Sequence, residues 1–478
     1  MSEHNTYTSP LSGRYASPQM QEIWSNHRKF STWRRLWLAL AESEQALGLD
    51  ITDEQVTELR NHLDDIDYDA AAKYEKELRH DVMAHVHTLG DVAPTARPII
   101  HLGATSQFVN CNTELIQMRD GMELISIKLA RVITQLGDFA NAYKSLPTLG
   151  FTHYQPAQPT TVGKRATLWA QELAIALEDL EFRLATLRFR GVRGATGTQA
   201  SFLDLFNGDE SKVEALNTMV TEKMGWDTDK SLSVTGQTYP RIVDFYVLST
   251  LAGIATAVHK FATDVRLLAN RGEIEEPFEK NQIGSSAMAY KRNPMRCERM
   301  CALARFVMNM PQNAAQTAAV QWMERTLDDS ANRRMSLPEA FLTLDGVLDV
   351  SINVTDGLIV HEARVTSNLM KEMPFLATER LMMEAVKHGA DRQDAHEVVR
   401  AHAIEVAQKI KSEGAENDLL ERLAGETMFA SIDLQSLTNP AGYVGRAPAQ
   451  VDSFIEGVVT PIHDAYAEKS TEIEELRV

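Results

Sequence analysis

The chain has 478 residues and a formal net charge of −18, and its length is sufficient for two or three domains. With 44% hydrophobic and 24% charged residues, the composition is typical of a globular protein and excludes extensive disorder. The negative charge argues against nucleic acid or an anionic membrane as a partner, and no stretch approaches the roughly 18 uninterrupted apolar residues of a membrane span. The polar N-terminus does not look like a secretory signal, and three cysteines are too few for a disulfide framework. We therefore expect a soluble protein in the reducing cytoplasm.

Helical periodicity over long stretches is the strongest pattern in the sequence. Apolar residues recur in steps of three and four from Met118 to Tyr143, and again from Ala166 to Leu187. Such spacing gives each helix one apolar seam and is typical of helices that pack lengthwise in a bundle. The sequence thus predicts two long, laterally packed helices.

Prolines indicate where further helices begin or bend, since proline suits the first helical turn and disrupts a helix interior. The sequence predicts one helix from Pro240 to about Arg271, one after Pro294 with a kink at Pro311, and one from about Pro338 past Val354.

Alternating β patterns are sparse, so the fold class predicted is all-α. We expect an N-terminal helical domain (residues 1–105), a central long-helix bundle (106–360) and a C-terminal helical domain (361–478). The most unusual residues fall in the connections between the long helices.

A loop of small residues, GSSAMAYKRNP at positions 284–294, precedes the helix that follows Pro294. Backbone N–H groups at the start of that helix favour an anion, while Lys291 adds a charge and Asn293 a directed donor. A serine hydroxyl acts as a base only when its alkoxide is stabilised, and this setting can stabilise that of Ser285. A flexible, solvated loop is the alternative interpretation.

The segment GFTHYQPAQPTT at positions 150–161 predicts an ordered, non-helical turn before a long helix. Its His153 can exchange protons near neutral pH if substrate reaches it. A loop histidine without a chemical role is the commoner alternative.

The segment RHDVMAHVH at positions 79–87 places His80 and His87 on one helical face, but no third ligand follows at a suitable spacing for zinc. Cys297 and Cys301, one helical turn apart, also lack a matching pair of ligands. We therefore predict no metal site and prefer a substrate-facing Arg79–His80 pair.

Other polar residues are weak candidates when taken one at a time. Arginine binds carboxylate and phosphate in a bidentate manner, which makes Arg14, Arg325 and Arg334 candidate anion-binding residues. Surface salt bridges are their alternative role. Thr105, Ser106 and Gln237 each precede a long helix, where capping is the alternative.

Together these segments resemble one known family. The loop GSSAMAYKRNP resembles the signature of the fumarase/aspartase superfamily, and GFTHYQPAQPTT, RHDVMAHVH, LGATS, TGQTYPR and WMERTLDDSANRR are similar to its members that act on succinylated purine nucleotides. The motifs occur in family order over essentially the whole chain. One departure is Ala289, where the family usually has proline, so a restriction on loop mobility is missing.

The resemblance implies a three-domain helical fold whose central helices form a twenty-helix core in a homotetramer, with active sites shared between subunits. It implies β-elimination of fumarate from adenylosuccinate, giving AMP, and from the succinyl-aminoimidazole-carboxamide ribotide of purine biosynthesis. Small anionic nucleotides would be the partners, and no metal or organic cofactor is implied.

The resemblance also implies residue roles. Ser285 would take the Cβ proton, with Lys291 stabilising the developing charge. His153 would protonate the departing nitrogen, oriented by Glu298, and His80 would complete the catalytic set. Residues implied to bind substrate are Arg14, Tyr15, Arg79, Asp81, Thr105, Ser106, Thr152, Gln237, Asn293, Arg299, Arg325, Ser330 and Arg334.

Two alternatives stay open at this point. A sister enzyme acting on argininosuccinate is disfavoured by the phosphate-binding arginine set. A catalytically silent structural protein on the same fold is disfavoured by the intact set of Ser285, His153 and Lys291.

The sequence also predicts that the active site is shared between chains. Thr105 and Ser106 precede a helix of about 30 residues and His153 follows it, so roughly 45 Å separates them. No nucleotide spans that distance. Either one assignment is wrong or a neighbouring subunit supplies the missing group.

Overall fold

The structure is a computed structural model that describes residues 5–469, and it is mainly helical. Within these residues there are nineteen α-helices. Their bounds are α1 Pro18–Ile23, α2 Asn26–Ala46, α3 Asp53–Asn61, α4 Tyr68–Leu78, α5 Asp81–Val92, α6 Ser106–Ala142, α7 Val162–Thr186, α8 Ala200–Leu205, α9 Glu210–Lys223, α10 Ile242–Asn270, α11 Met295–Met308, α12 Pro311–Ala319, α13 Asp329–Asp356, α14 Glu362–Leu376, α15 Thr378–Lys387, α16 Arg392–Glu413, α17 Leu419–Ala424, α18 Ala447–Phe454 and α19 Thr460–Tyr466.

The strands form two small antiparallel pairs. In the first, β1 (Pro147–Thr152) pairs with β2 (Gln155–Thr161) as a hairpin. In the second, β3 (Ile274–Glu275) pairs with β4 (Ile359–Val360). Short 3-10 or π-helical turns occupy Leu11–Tyr15, Arg97–Ile99, Thr427–Phe429, Ser436–Thr438, Pro440–Tyr443 and Ile455–Val459.

A bundle of long helices forms the centre of the molecule. Helix α6 packs against α7 and α13, and α10 packs against α7, α11 and α13. The apolar seam predicted on α6 is buried, as Met118, Ile125, Val132 and Leu136 show. With 37 residues, α6 spans roughly 55 Å. The all-α prediction is confirmed.

The structure corrects two predictions based on proline. The helix after Pro294 ends at Met308, and Pro311 is the first residue of a separate helix instead of a kink. The last bundle helix begins at Asp329 and contains Pro338 in its interior. Proline lacks only its own N–H donor, and the packing of a 28-residue helix outweighs that loss.

The apolar core is divided. One large cluster follows the central bundle and the N-terminal helices. A second cluster lies within residues 377–434, and a small third one joins Leu149 of the hairpin to Leu369 and Met373 of α14. The hairpin is therefore anchored on the C-terminal helices. The domain boundaries at residues 105 and 360 stay predictions.

One described helix, α10, is long and apolar enough to cross a membrane by length and composition, with a mean hydropathy of 1.5. Half of that window is buried inside the molecule, as expected for the core helix of a bundle. This is weak evidence for a membrane span.

Candidate active site

A cavity of about 290 Å³ opens where α2, α5, α6 and α13 meet. Residues far apart in the chain contribute to its wall, because the bundle brings the ends of these helices together. The wall contains seven residues predicted from the sequence, namely Arg79, His80, Asp81, Ser106, Arg325, Ser330 and Arg334.

The turn between α4 and α5 presents three of these residues. Arg79 ends α4 in a left-handed conformation, with φ of 57°. His80 then caps α5, since its Nδ1 accepts from Met83 N at 3.3 Å. In a neutral ring the proton is consequently on Nε2. Asp81 accepts from Arg334 Nη2 at 2.9 Å and so links α5 to α13.

Arg325 lines the cavity, and Thr105 lies directly before Ser106 of its wall. Arg325 Nη1 donates to Gln237 Oε1 at 2.9 Å, so the predicted Gln237 is held beside the cavity. Thr105 is the residue before α6, but its side chain makes no capping hydrogen bond. The capping role considered for Thr105 is therefore not what the structure shows.

A buried charge network that the sequence did not indicate extends from the wall of the cavity into the helix bundle. Arg241 donates to Asp329 at 2.7 Å, and Arg333 donates to Asp244 at 2.7 Å. Arg333 also contacts Glu114 at 2.9 Å. These partners are separated by 88 or more residues in the chain, so no local pattern indicates them.

The network stabilises the ionised form of Glu114. Burial opposes the charge on Glu114, but Arg333 and Arg241 outweigh burial and lower the pKa of Glu114 below its usual value. The hydroxyl of Tyr239 donates to Asp244 at 2.6 Å and satisfies another oxygen. These contacts fix the charged side chains of the network in position beside the cavity.

His101 is a second residue that the sequence analysis missed. Its Nδ1 accepts from Trp37 Nε1 at 2.9 Å, and its φ of 67° is in the left-handed region. Burial, reinforced by the nearby His80, lowers the pKa of His101 to about 4. His101, the residue directly before the LGATS segment, is therefore a neutral neighbour of His80, and its unusual φ is the kind of strain found at functional sites.

The signature loop, residues 284–294, is closed at its base. Asn293 Nδ2 donates to Gly284 O at 2.7 Å, and a Cβ on Gly284 would lie 2.1 Å from Lys291 O, so only glycine fits. Ser285 Oγ accepts from Ala287 N at 3.3 Å and Met288 N at 3.1 Å. Two N–H donors on this oxygen favour its deprotonated form.

Glu276 fixes the helix that leaves this loop. Its carboxylate accepts from Arg296 N and Cys297 N, both at 2.9 Å, in the first turn of α11. Lys291 and Glu298 are exposed, and Arg299 is half-buried on the same helix. The loop thus has a firm base and an exposed outer part.

His153 lies at the tip of the β1–β2 hairpin. Thr152 pairs with Gln155, so His153 and Tyr154 form a two-residue turn, and their φ angles are 53° and 57°. Such turns favour Asn and Gly because both positions need positive φ. His153 and Tyr154 are both exposed there in a strained conformation, which is the kind of strain found at functional sites.

Arg14 and Tyr15 lie farther along the bundle. Asp345 accepts from Ser17 N at 2.7 Å, and a Cβ on Gly346 would lie 2.7 Å from Tyr15 O. Asp345 is itself held by the buried Lys128 at 2.5 Å. The segment with Arg14 and Tyr15 is therefore pressed on α13.

The structure does not bring all predicted residues to one place. The residues that lie outside the wall of the cavity are Arg14, Tyr15, Thr105, Thr152, His153, Gln237, Ser285, Lys291, Asn293, Glu298 and Arg299. Within residues 5–469, no hydrogen bond or ion pair joins Glu298 to His153, so the orienting role of Glu298 stays a prediction. Across the same residues, no group of three or more His, Cys, Asp or Glu side chains could hold a metal.

Two family profiles match the chain. One, described as a lyase, matches residues 13–309, and one, described as the C-terminus of adenylosuccinate lyase, matches residues 374–454. Among solved structures, a fumarate lyase from Mesorhizobium sp. BNC1 has a TM-score of 0.78 at 23% identity, covering 95% of this chain and 100% of its own. The 3-carboxy-cis,cis-muconate lactonizing enzyme from Pseudomonas putida has a TM-score of 0.80 at 23% identity, covering 96% and 99%. These structures share the fold. The class, a lyase of the fumarase/aspartase type, is shown by the lyase profile, which covers more than half of the chain.

Curated relatives narrow the class. The adenylosuccinate lyase of Saccharomyces cerevisiae is 52% identical over 95% of both chains. That of Schizosaccharomyces pombe is 51% identical over 95% of both chains, and that of Schistosoma mansoni is 48% identical over 98% of both. The chain therefore belongs to the adenylosuccinate lyase family and is an enzyme of the lyase class.

Proposed function

We propose that the enzyme removes fumarate from adenylosuccinate, giving AMP, and from the succinyl-aminoimidazole-carboxamide ribotide in purine biosynthesis. The observation that carries this proposal is the charge of the cavity. Its wall holds six cationic side chains, Lys29, Arg79, Arg241, Arg325, Arg333 and Arg334. Three of these arginines are paired with carboxylates, Arg241 with Asp329, Arg333 with Asp244 and Glu114, and Arg334 with Asp81. Among the described residues, Lys29, Arg79 and Arg325 have no such ion pair and leave the cavity with an excess of positive charge. In a protein with net charge −18, such a cluster is a site for a multiply charged anion.

The elimination is consistent with the chemistry of the remaining residues. Ser285 would remove the proton from Cβ, because its hydroxyl oxygen already accepts two backbone N–H groups. Lys291 and Asn293 would stabilise the carbanion that forms at Cβ, whose charge is delocalised into the adjacent carboxylate. His153 would protonate the departing nitrogen, and the carbon–nitrogen bond would break to release fumarate.

We propose further that the enzyme is a cytoplasmic homotetramer whose sites are shared between subunits. The length of α6, roughly 55 Å, keeps Ser106 and His153 of one chain too far apart to contact one nucleotide. On α7, Leu168, Ile175 and Phe182 are exposed at intervals of seven residues, a spacing suited to packing against another helix. Three buried free cysteines fit a reducing compartment.

The experiment that tests the proposed reaction compares adenylosuccinate, its dephosphorylated nucleoside and argininosuccinate in one spectrophotometric assay of fumarate release. We expect turnover of adenylosuccinate. For the nucleoside we expect a lower kcat/KM, by a factor that corresponds to several kcal/mol of lost transition-state stabilisation. Each charge-assisted contact to phosphate contributes about 1.5–3 kcal/mol. Equal kcat/KM for the nucleotide and the nucleoside would exclude a phosphate-binding role for the arginines. Preferred cleavage of argininosuccinate would identify the sister activity instead.

A further inference from the structure

Lys29 is the one cation of the cavity wall that comes from α2, and no motif in the sequence indicated it. Its Nζ lies 5.3 Å from the ring centroid of Phe30 and 5.1 Å from that of Trp33. The two rings restrain the ammonium through cation–π attraction without neutralising its charge. Within residues 5–469, Lys29 has no hydrogen bond or ion pair with a carboxylate.

The carboxylates of the cavity are already paired with arginines. Asp81 is bound to Arg334 at 2.9 Å, and Glu114 is bound to Arg333 at 2.9 Å. Lys29 is consequently a half-buried positive charge that makes no direct ion pair among the described residues, although Glu114, Asp81 and Glu75 attract it from a longer distance. Burial and the nearby Arg334 lower the pKa of Lys29, and they outweigh the opposing attraction of Glu114, Asp81 and Glu75.

We propose that Lys29 is a further substrate-binding residue whose ammonium binds the 5′-phosphate of the nucleotide beside Arg334. This inference rests on the proposed function and adds a contact to it. A lysine ammonium is a compact point charge suited to a phosphate oxygen, whereas Arg334 can bind two oxygens at once. Ser330, on the first turn of α13 in the same wall, adds a hydroxyl donor.

The phosphate is a better fit to Lys29 than a carboxylate of the succinyl group. A dianion placed between Lys29 and Arg334 removes the repulsion between these two cations more fully than a single carboxylate does. Arg79 and Arg325, on the same wall, also have no carboxylate partner among the described residues, so cations remain for the other anionic groups.

Binding of the two products separately tests this contact, since AMP carries the phosphate and fumarate carries the carboxylates. Lys29→Met keeps the aliphatic stem over the two rings and removes the charge, while Lys29→Arg keeps the charge. Lys223→Met is the matched control, because Lys223 is paired with Glu42 at 2.7 Å on the surface and does not line the cavity. Calorimetry on the assembled enzyme gives the Kd for each product.

We expect Lys29→Met to weaken AMP binding about 10- to 100-fold, the range for a hydrogen bond to a charged group, and to leave fumarate binding unchanged. In turnover, KM for adenylosuccinate should rise by a similar factor while kcat stays within about threefold, since phosphate binding is uniform between ground and transition state. Lys29→Arg should restore most of the AMP affinity. Lys223→Met should match the wild type.

Unchanged AMP binding in Lys29→Met would overturn the proposal. Weaker fumarate binding with normal AMP binding would overturn it too, because the ammonium would then bind a succinyl carboxylate. Equal loss in Lys29→Met and Lys29→Arg would assign Lys29 a packing role. Failure of the proposed function is distinguishable, because wild-type enzyme would then release no fumarate from adenylosuccinate, whichever residue is at position 29.

Discussion

Two regions of the molecule differ in how their polar side chains are held. One is the cavity at the ends of α5, α6 and α13, and the other consists of the β1–β2 hairpin and the signature loop. In the cavity, cations are fixed by carboxylates beneath them, as Arg333 is by Asp244 and Glu114. Around His153 and Ser285, the side chains are exposed or half-buried and have few partners within the chain. One region has its charged groups fixed within the chain, and the other presents its groups outward.

The difference shows how one chain can assign anion binding and proton transfer to different regions. Anion binding needs preorganised charge, which a rigid bundle supplies. Proton transfer needs groups that reach a substrate bound elsewhere, and a hairpin tip or a loop can supply these to a neighbour. If the sites are shared as proposed, each chain completes the binding region of another.

Removing Ser285 should give the largest effect on the outward-facing region. We expect Ser285→Ala to lower kcat about 10²- to 10⁴-fold, the cost of losing a general base, with little change in KM. Ser286→Ala is the control, since Ser286 is the exposed neighbour in the same loop. A variant with more than half of the wild-type kcat would show that Ser285 is not the base.

Mixing two inactive variants tests whether the two regions come from different chains. We expect His153→Gln and Ser285→Ala to regain partial activity when they are mixed, dissociated and reassembled, since some mixed sites carry neither lesion. Fumarate release measures recovery, and sedimentation confirms that subunits exchanged. Exchange without recovery would place His153 and Ser285 of one chain in the same site.

Gly346→Ala tests whether the segment with Arg14 and Tyr15 belongs to the preorganised region. An added Cβ would lie 2.7 Å from the backbone oxygen of Tyr15 and displace that segment. A displacement of about 1 Å can cost up to 10²-fold, so we expect KM to rise on the order of 10-fold. Gly137→Ala, whose Cβ would meet only the side chain of Val459, should leave KM unchanged. Equal KM in both variants would show that Arg14 and Tyr15 do not bind substrate.

The smallest effect concerns stability and contrasts two buried carboxyls. Glu114, paired with Arg333, has a lowered pKa, whereas burial without a partner raises the pKa of Glu44 to about 8. Folded and unfolded Glu44 are both protonated below pH about 4.5, so the cost of burying it is absent there. As pH rises towards 8 the unfolded state loses its proton first, and stability falls by up to about 1.4 kcal/mol per pH unit.

We therefore expect Glu44→Gln to unfold at a higher urea concentration than wild type at pH 8, with the difference vanishing near pH 4.5. Glu42→Gln is the matched control two residues away. Glu42 is paired with Arg60 and Lys223, so its loss should not stabilise the protein at any pH. A difference between Glu44→Gln and wild type that is constant with pH would show that Glu44 titrates normally.

The sequence was informative where one pattern repeats along one element. The seam from Met118 to Leu136 defines α6 because a buried helix face needs an apolar residue at every turn. Proline was less informative, since Pro311 begins a helix and Pro338 lies inside one. Whether proline breaks a helix depends on packing from other helices, which local sequence does not contain.

Site residues with a chemical signal of their own were predictable, whereas pairings between residues distant in the chain were not, even where both partners belong to quoted motifs. Arg79, His80 and Arg334 belong to quoted motifs and line the cavity. Arg241 and Arg333 beneath it pair with Asp329 and Asp244 across 88 or more residues, and those pairs exist only once the bundle has formed. The sequence did not indicate Lys29 for the same reason. Its proposed role depends on which carboxylates are already paired with arginines in the folded chain.

The hairpin turn has a consequence for engineering. His153 and Tyr154 occupy positions that glycine and asparagine prefer, at a cost of about 1–3 kcal/mol each. The remaining strand pairing and the contact of Leu149 with α14 hold the hairpin together despite that cost. Replacing the pair by Asn-Gly, the most favourable sequence for such a turn, should yield a scaffold that melts at a higher temperature than the parent. If this variant is also inactive, its higher thermal stability would make it useful for studying substrate complexes that the active enzyme would convert to products.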